Sequence, residues 1–401
     1  MTGKPLQGIE ECAGLSLDRV CPPLETVSRL RPHFHDLGIT RLARQTGLDT
    51  LGIPCFSAIR PNAKTLSASQ GKGLDDASAM ASAVMEAAEF AIAERLPPID
   101  WSGPAQALES MGVEWFEPSR LVPFGEKFDV DRPISWVAGK SLFGRRPTMI
   151  PRDVVRFDGL APELHHVSQN TNGLASGNTA GEAEFHALCE LIERDATTLF
   201  TMLPPEAKAK LAVSCASFLD PAIADLARRA ERAGLRLQLF DLTSDIGVPT
   251  IMALLGPSST WRYFDLAVGY GTHPVAALAA IRAITEAAQS RITSIAGARD
   301  DIPPAQYADS PDGLAADLLD HPALHPPPSG LPPSSTFAER YAFLRGAIKY
   351  AGIDEPVAVP LGGDCFGISV VRLVSGILED REANSNWRPG PRAVATLLEV
   401  A

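Results

Sequence analysis

No CxxC pair occurs in this sequence. Its six cysteines, Cys12, Cys21, Cys55, Cys189, Cys215 and Cys365, are scattered along 401 residues. That spacing argues against a disulfide framework or a thiolate zinc site and points to reduced, structural cysteines. No apolar run reaches the ~18 residues of a membrane span, and no opening segment combines a basic stretch, an apolar run and a small-residue cleavage site. A cytoplasmic protein is the expectation. Positive charge is also in short supply: 36 Lys and Arg stand against 48 Asp and Glu, a formal net charge of −12. Bulk electrostatic binding to nucleic acid or to an acidic membrane is therefore not expected. An anionic ligand would have to bring metal ions with it.

What is present is a chain with 45% hydrophobic residues, enough for one large or two to three smaller cores. Helix signals cover residues 25–37, ending at Gly38, and a short stretch around 42–45. A long helix is expected over 71–95, stopped by Pro97 and Pro98. Strand-like runs follow ("VEWFEP", "ISWVAG", "RPTMIP"), then a second long helix over 179–202. A helix around 223–233 precedes two strands, "RLQLFDLT" and "VPTIMALLG". The glycine turn "GYGTH" leads into a third long helix, "PVAALAAIRAITEAAQSRITSI". The class is mixed α/β. Residues 300–335, rich in Pro, Asp and Ser, read as a mobile surface insertion. No tandem repeat of 20–50 residues is visible.

The three long helices share a pattern. At ~100° per residue, positions i, i+4 and i+7 fall within about a 60° arc. Polar groups occupy such positions in all three: Ser82, Glu86 and Glu89; Glu182 or His186 with Glu190 and Glu193; Arg282, Glu286 and Gln289. The rest of each helix is mostly apolar, so the narrow stripes are expected to face an internal cleft. Glu182 has a second reading, as the partner of Thr179 in a capping box. For the glutamates as a set, solvation explains less, because like charges one turn apart repel. Oxygen ligands without paired cysteines or histidines suit hard cations, Mg2+ first, and Mg2+ held by one or two carboxylates usually has phosphate as its other partner. Yet there is no G-x-x-x-x-G-K-[ST], and "GYGTH" does not complete G-x-G-x-x-G. The nearest phosphate-like elements are "QGKG", with Lys72 between two glycines, and "GLASGNT". Cys189 reads as packing, His186 as a local hydrogen-bonding group, and the adjacent His165 and His166 do not suggest a zinc site.

The segments "QGKG…ASAVMEAAEF", "NGLASGNTAGEAEFHALCELIERD" and "RAITEAAQSR…GARDD" closely resemble the three segments of YcaO-domain proteins. The stretch "ETVSRLRPHFHDLGITRLARQTGLDTLGIP" looks like the front end of the subgroup that works with TfuA proteins. This resemblance implies a YcaO-type α/β fold, with mixed sheets and long buried helices, unrelated to P-loop or Rossmann proteins. It would comprise a 1–60 segment contributing to the nucleotide site and a YcaO domain over 61–395. ATP and Mg2+ are the implied cofactors. Glu86, Glu89, Glu190 and Glu193 would be metal ligands. Arg19, Thr26, Lys72, Ser82, Asn178, Glu182, Arg282 and Glu286 would bind the nucleotide, and Arg194, Arg282 and Glu286 would be catalytic. The family arginine after the second glutamate is Phe90 here, so Lys72 or Arg95 would supply that charge.

The implied chemistry is O-phosphorylation of a peptide backbone amide, followed by attack of a nucleophile. External sulfide would give a thioamide; a side chain of the substrate would give an azoline. Azoline-forming relatives typically end in a proline-rich tail, whereas Pro389 and Pro391 precede "TLLEVA", an amphipathic or strand-like segment expected to pack on the surface. The resemblance thus favours thioamidation, with a peptide substrate, a TfuA-like partner and a sulfide source or sulfur carrier, and it leaves homodimerisation open. An ATP-binding accessory factor for ribosomal-protein modification and a metal-dependent hydrolase are the other classes.

Overall fold

A strand lies immediately before each of the three long helices and packs against it. The structure, a computed structural model, describes residues 19–144, 146–160, 162, 167–257, 266–297, 299, 302, 317–319, 321–323 and 325–400. His165 and His166 lie outside these residues, as does much of the expected 300–335 insertion.

Three sheets form among the described residues. The first contains β1 (Arg41–Arg44), β2 (Cys55–Ile59) and β3 (Ala68–Lys72), in that order. The largest collects β4 (Trp101–Gly103), β5 (Glu114–Trp115), β6 (Ile134–Ser141), β7 (Pro147–Pro151) and β8 (Leu174–Gly177). The third holds β9 (Ala212–Val213), β10 (Leu235–Asp241), β11 (Thr250–Pro257) and β12 (Ala267–Thr272). The late strands β13 (Val357–Gly362) and β14 (Ser369–Val374) return to the large sheet and insert between β6 and β8. Its order becomes β5-β7-β6-β13-β14-β8, with β4 on β6. Among the named strands of the described residues β5 and β7 pair in parallel and the rest pair antiparallel; an isolated parallel bridge joins Val213 and His325. A Rossmann sheet would need parallel strands joined by crossover helices.

The helices are α1 (Pro23–Leu30), α2 (Asp76–Ala93), α3 (Ala105–Ser110), α4 (Arg152–Val155), α5 (Ala180–Met202), α6 (Pro205–Ala209), α7 (Pro221–Arg232), α8 (Ala276–Ala296), α9 (Phe337–Tyr350) and α10 (Pro391–Val400). Asp75 caps α2 by accepting from Ser78 N, and Thr179 caps α5 by accepting from Glu182 N. Alanines let the long helices press close to their sheets. Ala79, Ala83, Ala87 and Ala88 of α2 pack with Phe56, Ala58 and Val370. Ala279, Ala280, Ala283 and Ala287 of α8 pack with Ile251, Ala253 and Leu255. A Cβ added at Gly71 would sit 2.1 Å from Ala83 N, and one at Gly271 2.2 Å from Ala279 O, so strand and helix backbones touch at both glycines.

Several expectations are corrected. The helix expected over 25–37 stops at Leu30: Pro32 supplies no N–H to continue the α-helical ladder, and a 3-10 turn covers Arg31–His33. The stretch 42–45 is not helical but the strand β1, held by its pairing Arg41↔Ile59 to Arg44↔Phe56. The glycine runs "QGKG", "GLASGNT" and "GYGTH" contribute strands rather than turns, their glycines admitting close helix packing. Of the 300–335 region, Leu318 and Leu319 are core residues and Leu331 N donates to Pro274 O at 2.8 Å, while residues 325–334 are exposed or half-buried. The final segment is the helix α10, whose Arg392 pairs with Asp195 of α5 and with Asp245.

Candidate nucleotide and metal site

Burial alternates along the three helices in the way their sequences suggest. Ser82, Glu86 and Glu89 on α2, His186, Glu190, Glu193 and Arg194 on α5, and Arg282, Glu286 and Gln289 on α8 each keep part of their surface open, while most positions between them are buried. Strand β3 brings α2 and α8 together: Lys72 Nζ is 2.6 Å from Glu286 Oε2. Glu86 accepts from Gln70 N of β3 at 2.7 Å, and Glu286 accepts from Tyr270 N of β12 at 3.3 Å. These two contacts are equivalent. Each joins a helix glutamate to the strand amide 16 residues earlier. The β3–α2 unit therefore recurs as β12–α8, with Gly71, Ala83 and Glu86 matched by Gly271, Ala283 and Glu286, each 200 residues later.

Burial raises the carboxylates of this cleft, and neighbouring glutamates add to the rise. Burial, with the charge of Glu190 next, pushes the Glu89 carboxyl well above its usual range. Burial also raises Glu190 to about 8, with Arg194 opposing and Glu193 adding to the rise. Glu193 rises to about 7, through burial and then Glu286. Glu86 is raised by burial against the pull of Lys72. Burial alone would lower Lys72, but Glu286, Glu86 and Glu193 together hold its ammonium above the usual value. Arg194 is likewise held charged against burial by Glu382, Glu190, Glu193 and Glu286.

A second network closes over the start of α5. The fully buried Glu182 carboxylate accepts from Arg19 Nη1 at 2.8 Å, from Val20 N at 3.3 Å and from Asn178 Nδ2 at 3.1 Å. Thr26 Oγ1 donates to Asn178 Oδ1 at 2.9 Å, and Arg29 Nη1 reaches the same oxygen at 3.4 Å. Thr179 caps the Glu182 amide, but the Glu182 side chain serves Arg19 and Asn178, so only half of the capping box is used. Four residues expected at the nucleotide, Arg19, Thr26, Asn178 and Glu182, are thus brought together from positions up to 163 residues apart.

Arg282 Nη2 lies 3.5 Å from His186 Nδ1, and its Nη1 donates to Thr272 O at 3.4 Å. His186 makes a local contact, as expected, and Cys189 is packed in the core. Phe90 packs against Phe157 with ring centroids 5.6 Å apart. Of the two expected substitutes for its missing charge, Lys72 is in the cleft, whereas Arg95 stacks on Phe366 and donates to Asp36 O. The sequence reading missed Arg372. This buried arginine on β14 has its value lowered to about 10 by burial, against the charges of Glu190, Asp380 and Glu89. Its signal was available: one arginine inside the apolar strand "SVVRLV".

Among the described residues, no group of three or more His, Cys, Asp or Glu stands close enough to hold a metal ion alone. The donors nevertheless fit Mg2+. That ion takes one or two carboxylates and fills its remaining positions with phosphate oxygens and water, and Glu86, Glu89, Glu190 and Glu193 offer such carboxylates. No helix among the described residues is long and apolar enough to cross a membrane.

Comparison with known proteins bears on this cleft. The family described as YcaO cyclodehydratase, ATP- and Mg2+-binding, matches residues 70–378. A Rhizobium leguminosarum bv. trifolii protein named for the tfuA 3′ region is 35% identical over 390 residues, covering 95% of this chain and 93% of that one. YcaO from Methanopyrus kandleri, bound with AMPPCP and Mg2+, has the same fold, with a TM-score of 0.70 at 22% identity over 93% of this chain and 97% of that one. A heterocyclase in complex with substrate and cofactor matches at a TM-score of 0.67 and 21% identity; the match covers 93% of this chain and 55% of the heterocyclase.

Proposed function

This chain belongs to the YcaO family, whose cofactors are ATP and Mg2+, and on that premise we propose that it activates a peptide backbone amide and converts it to a thioamide with a TfuA-like partner. The single observation that carries amide activation is the cluster of carboxylates, raised by desolvation, where α2, α5 and α8 meet. The near-full-length relative from the tfuA 3′ region favours the thioamide outcome and the partner.

When bound, ATP supplies the phosphoryl group, and Mg2+ offsets the charge on its phosphates. In this proposal Glu86, Glu89, Glu190 and Glu193 hold the metal. Arg19, Thr26, Ser82, Asn178 and Glu182 orient the nucleotide, with Lys72, Arg282 and Glu286 on the opposite wall. Arg194 and Arg282 stabilise negative charge developing on the transferring group, and the low dielectric of the cleft strengthens that effect. Glu286 holds the Lys72 ammonium in place at 2.6 Å. A sulfide equivalent then adds to the amide carbon, and the former carbonyl oxygen leaves with phosphate.

The family description favours a second reading, cyclodehydration to an azoline by a substrate side chain. Mass spectrometry separates the two. With a cognate peptide, ATP, Mg2+ and a sulfide source, thioamidation adds the difference between sulfur and oxygen, whereas azoline formation removes water. Loss of water independent of added sulfide would establish the second reading. ATP turnover that the peptide does not stimulate would point to an accessory factor, and peptide hydrolysis without ATP to a hydrolase.

A further inference from the structure

A partly enclosed cavity of about 60 Å3 lies at the end of β14, between residues 168–172 and 374–380. Two buried polar atoms of its lining residues have no hydrogen-bond partner: Nε of Arg372 and Oδ1 of Asn172. They are opposite in kind, one a donor and one an acceptor. An amide group offers the converse pair, a carbonyl that accepts and an N–H that donates.

The rest of each side chain is already committed. Arg372 is only 6% exposed, and its Nη1 and Nη2 donate to Asn170 O at 2.6 Å and Asn170 Oδ1 at 2.7 Å. Asn172 is hydrogen-bonded to Asp380 through its side chain, and its backbone N–H donates to Asn170 Oδ1 at 3.1 Å. Neighbouring polar groups are also engaged: Arg120 pairs with Glu379, and Asp380 accepts from Ala383 N at 2.9 Å. An unpaired buried donor or acceptor is costly, and a ligand of complementary pattern recovers that cost.

The cavity reaches α5: Leu191, the residue after Glu190, lines it together with Arg372 and Asp380. Its size excludes a nucleoside, which needs several hundred Å3, but suits one planar amide. We propose that this cavity receives the backbone amide to be activated, with Arg372 Nε–H donating to its carbonyl oxygen and Asn172 Oδ1 accepting from its N–H. The inference rests on the amide-activating reading and names the subsite that reading leaves open. Arg372 is then a substrate-contacting residue at the border of the metal site, and Asn172 sets the register of the peptide.

The probe is N-acetylglycine N-methylamide, titrated by NMR into the full chain with Mg2+ and a non-hydrolysable ATP analogue. Saturable binding is expected, weakened at least tenfold by Asn172→Leu, and weakened similarly when the probe is N-acetylsarcosine methyl ester, which has no amide N–H. Calorimetry of the same Asn172→Leu protein should show affinity for Mg-nucleotide within about twofold of wild type, which also reports that the variant is folded. Arg372→Met should lose probe binding as well, but Asn172→Leu decides the matter if that variant does not fold. Absence of saturable binding to wild type, or equal binding by Asn172→Leu or of the ester, overturns the assignment and makes ordered water the partner of these atoms. Failure of wild type to bind Mg-nucleotide would instead sink the reading on which the inference rests.

Discussion

Lys72 and Glu286, 214 residues apart in sequence, meet at 2.6 Å and join the first sheet to the helix α8. The charge of Lys72 acts with those of Glu286, Glu86 and Glu193 together. Lys72→Met removes that charge while keeping much of the side-chain volume. Mg-ATP affinity is expected to fall about tenfold, equivalent to 1.4 kcal/mol, with little change in melting temperature because the pair is only partly buried. Calorimetric titration gives the answer, and unchanged affinity would remove Lys72 from the nucleotide site.

Glu190→Gln should separate ligand charge from shape. The substitution preserves size and one hydrogen-bonding oxygen, and it relieves burial of a charge, so the free protein should be as stable as wild type or slightly more so. Mg-ATP binding should weaken by two orders of magnitude or more. A folded variant with wild-type affinity would show that Glu190 is not a metal ligand.

The raised carboxylates give the free protein a pH dependence of defined sign. Glu190 and Glu193 have folded-state values near 8 and 7, above the ordinary 4.5. Between pH 4.5 and 8 the folded state binds more protons than the unfolded one, so stability falls as pH rises through this window. The loss should be seen as a melting temperature lower at pH 8 than at pH 5.5. Mg2+ requires the ionised forms, so binding of Mg-ATP at pH 7 should release protons. Calorimetry in two buffers of different ionisation enthalpy measures that release, and a heat that does not depend on buffer contradicts the prediction.

Gly71→Ala tests the contact that places α2. The new methyl would lie 2.1 Å from Ala83 N and 2.2 Å from Ala79 O, so the helix must move. A destabilisation of about 1–3 kcal/mol or more is expected, accompanied by weaker Mg-ATP binding because Glu86 and Glu89 ride on the same helix. Gly346→Ala, in α9 with no atom within 4 Å of the added Cβ, is the control and should leave both properties near wild type. Equal behaviour of the two variants would count against the close packing.

Local chemistry in the sequence was enough to define the three long helices, the carboxylate stripes and the expectation of Mg2+ with a phosphate ligand. A helix repeats every 3.6 residues, so apolar spacing and the isolated polar positions Glu86, Glu190 and Glu286 could be read without neighbours. The repeated "EAA" at 86–88 and 286–288 was also legible, but a separation of 200 residues hid it from a search for short repeats. Tertiary structure decided what local preference could not. Residues 42–45 became β1 because β2 offered hydrogen bonds, and the glycine runs became strands because only a residue without Cβ lets a helix backbone come so close. Arg19 reached Glu182 across 163 residues, and Arg372 reached Asn170 across 202 through the late return of β14 to the large sheet. Contacts of such sequence separation depend on how whole sheets and helices pack, and no local run of residues encodes them.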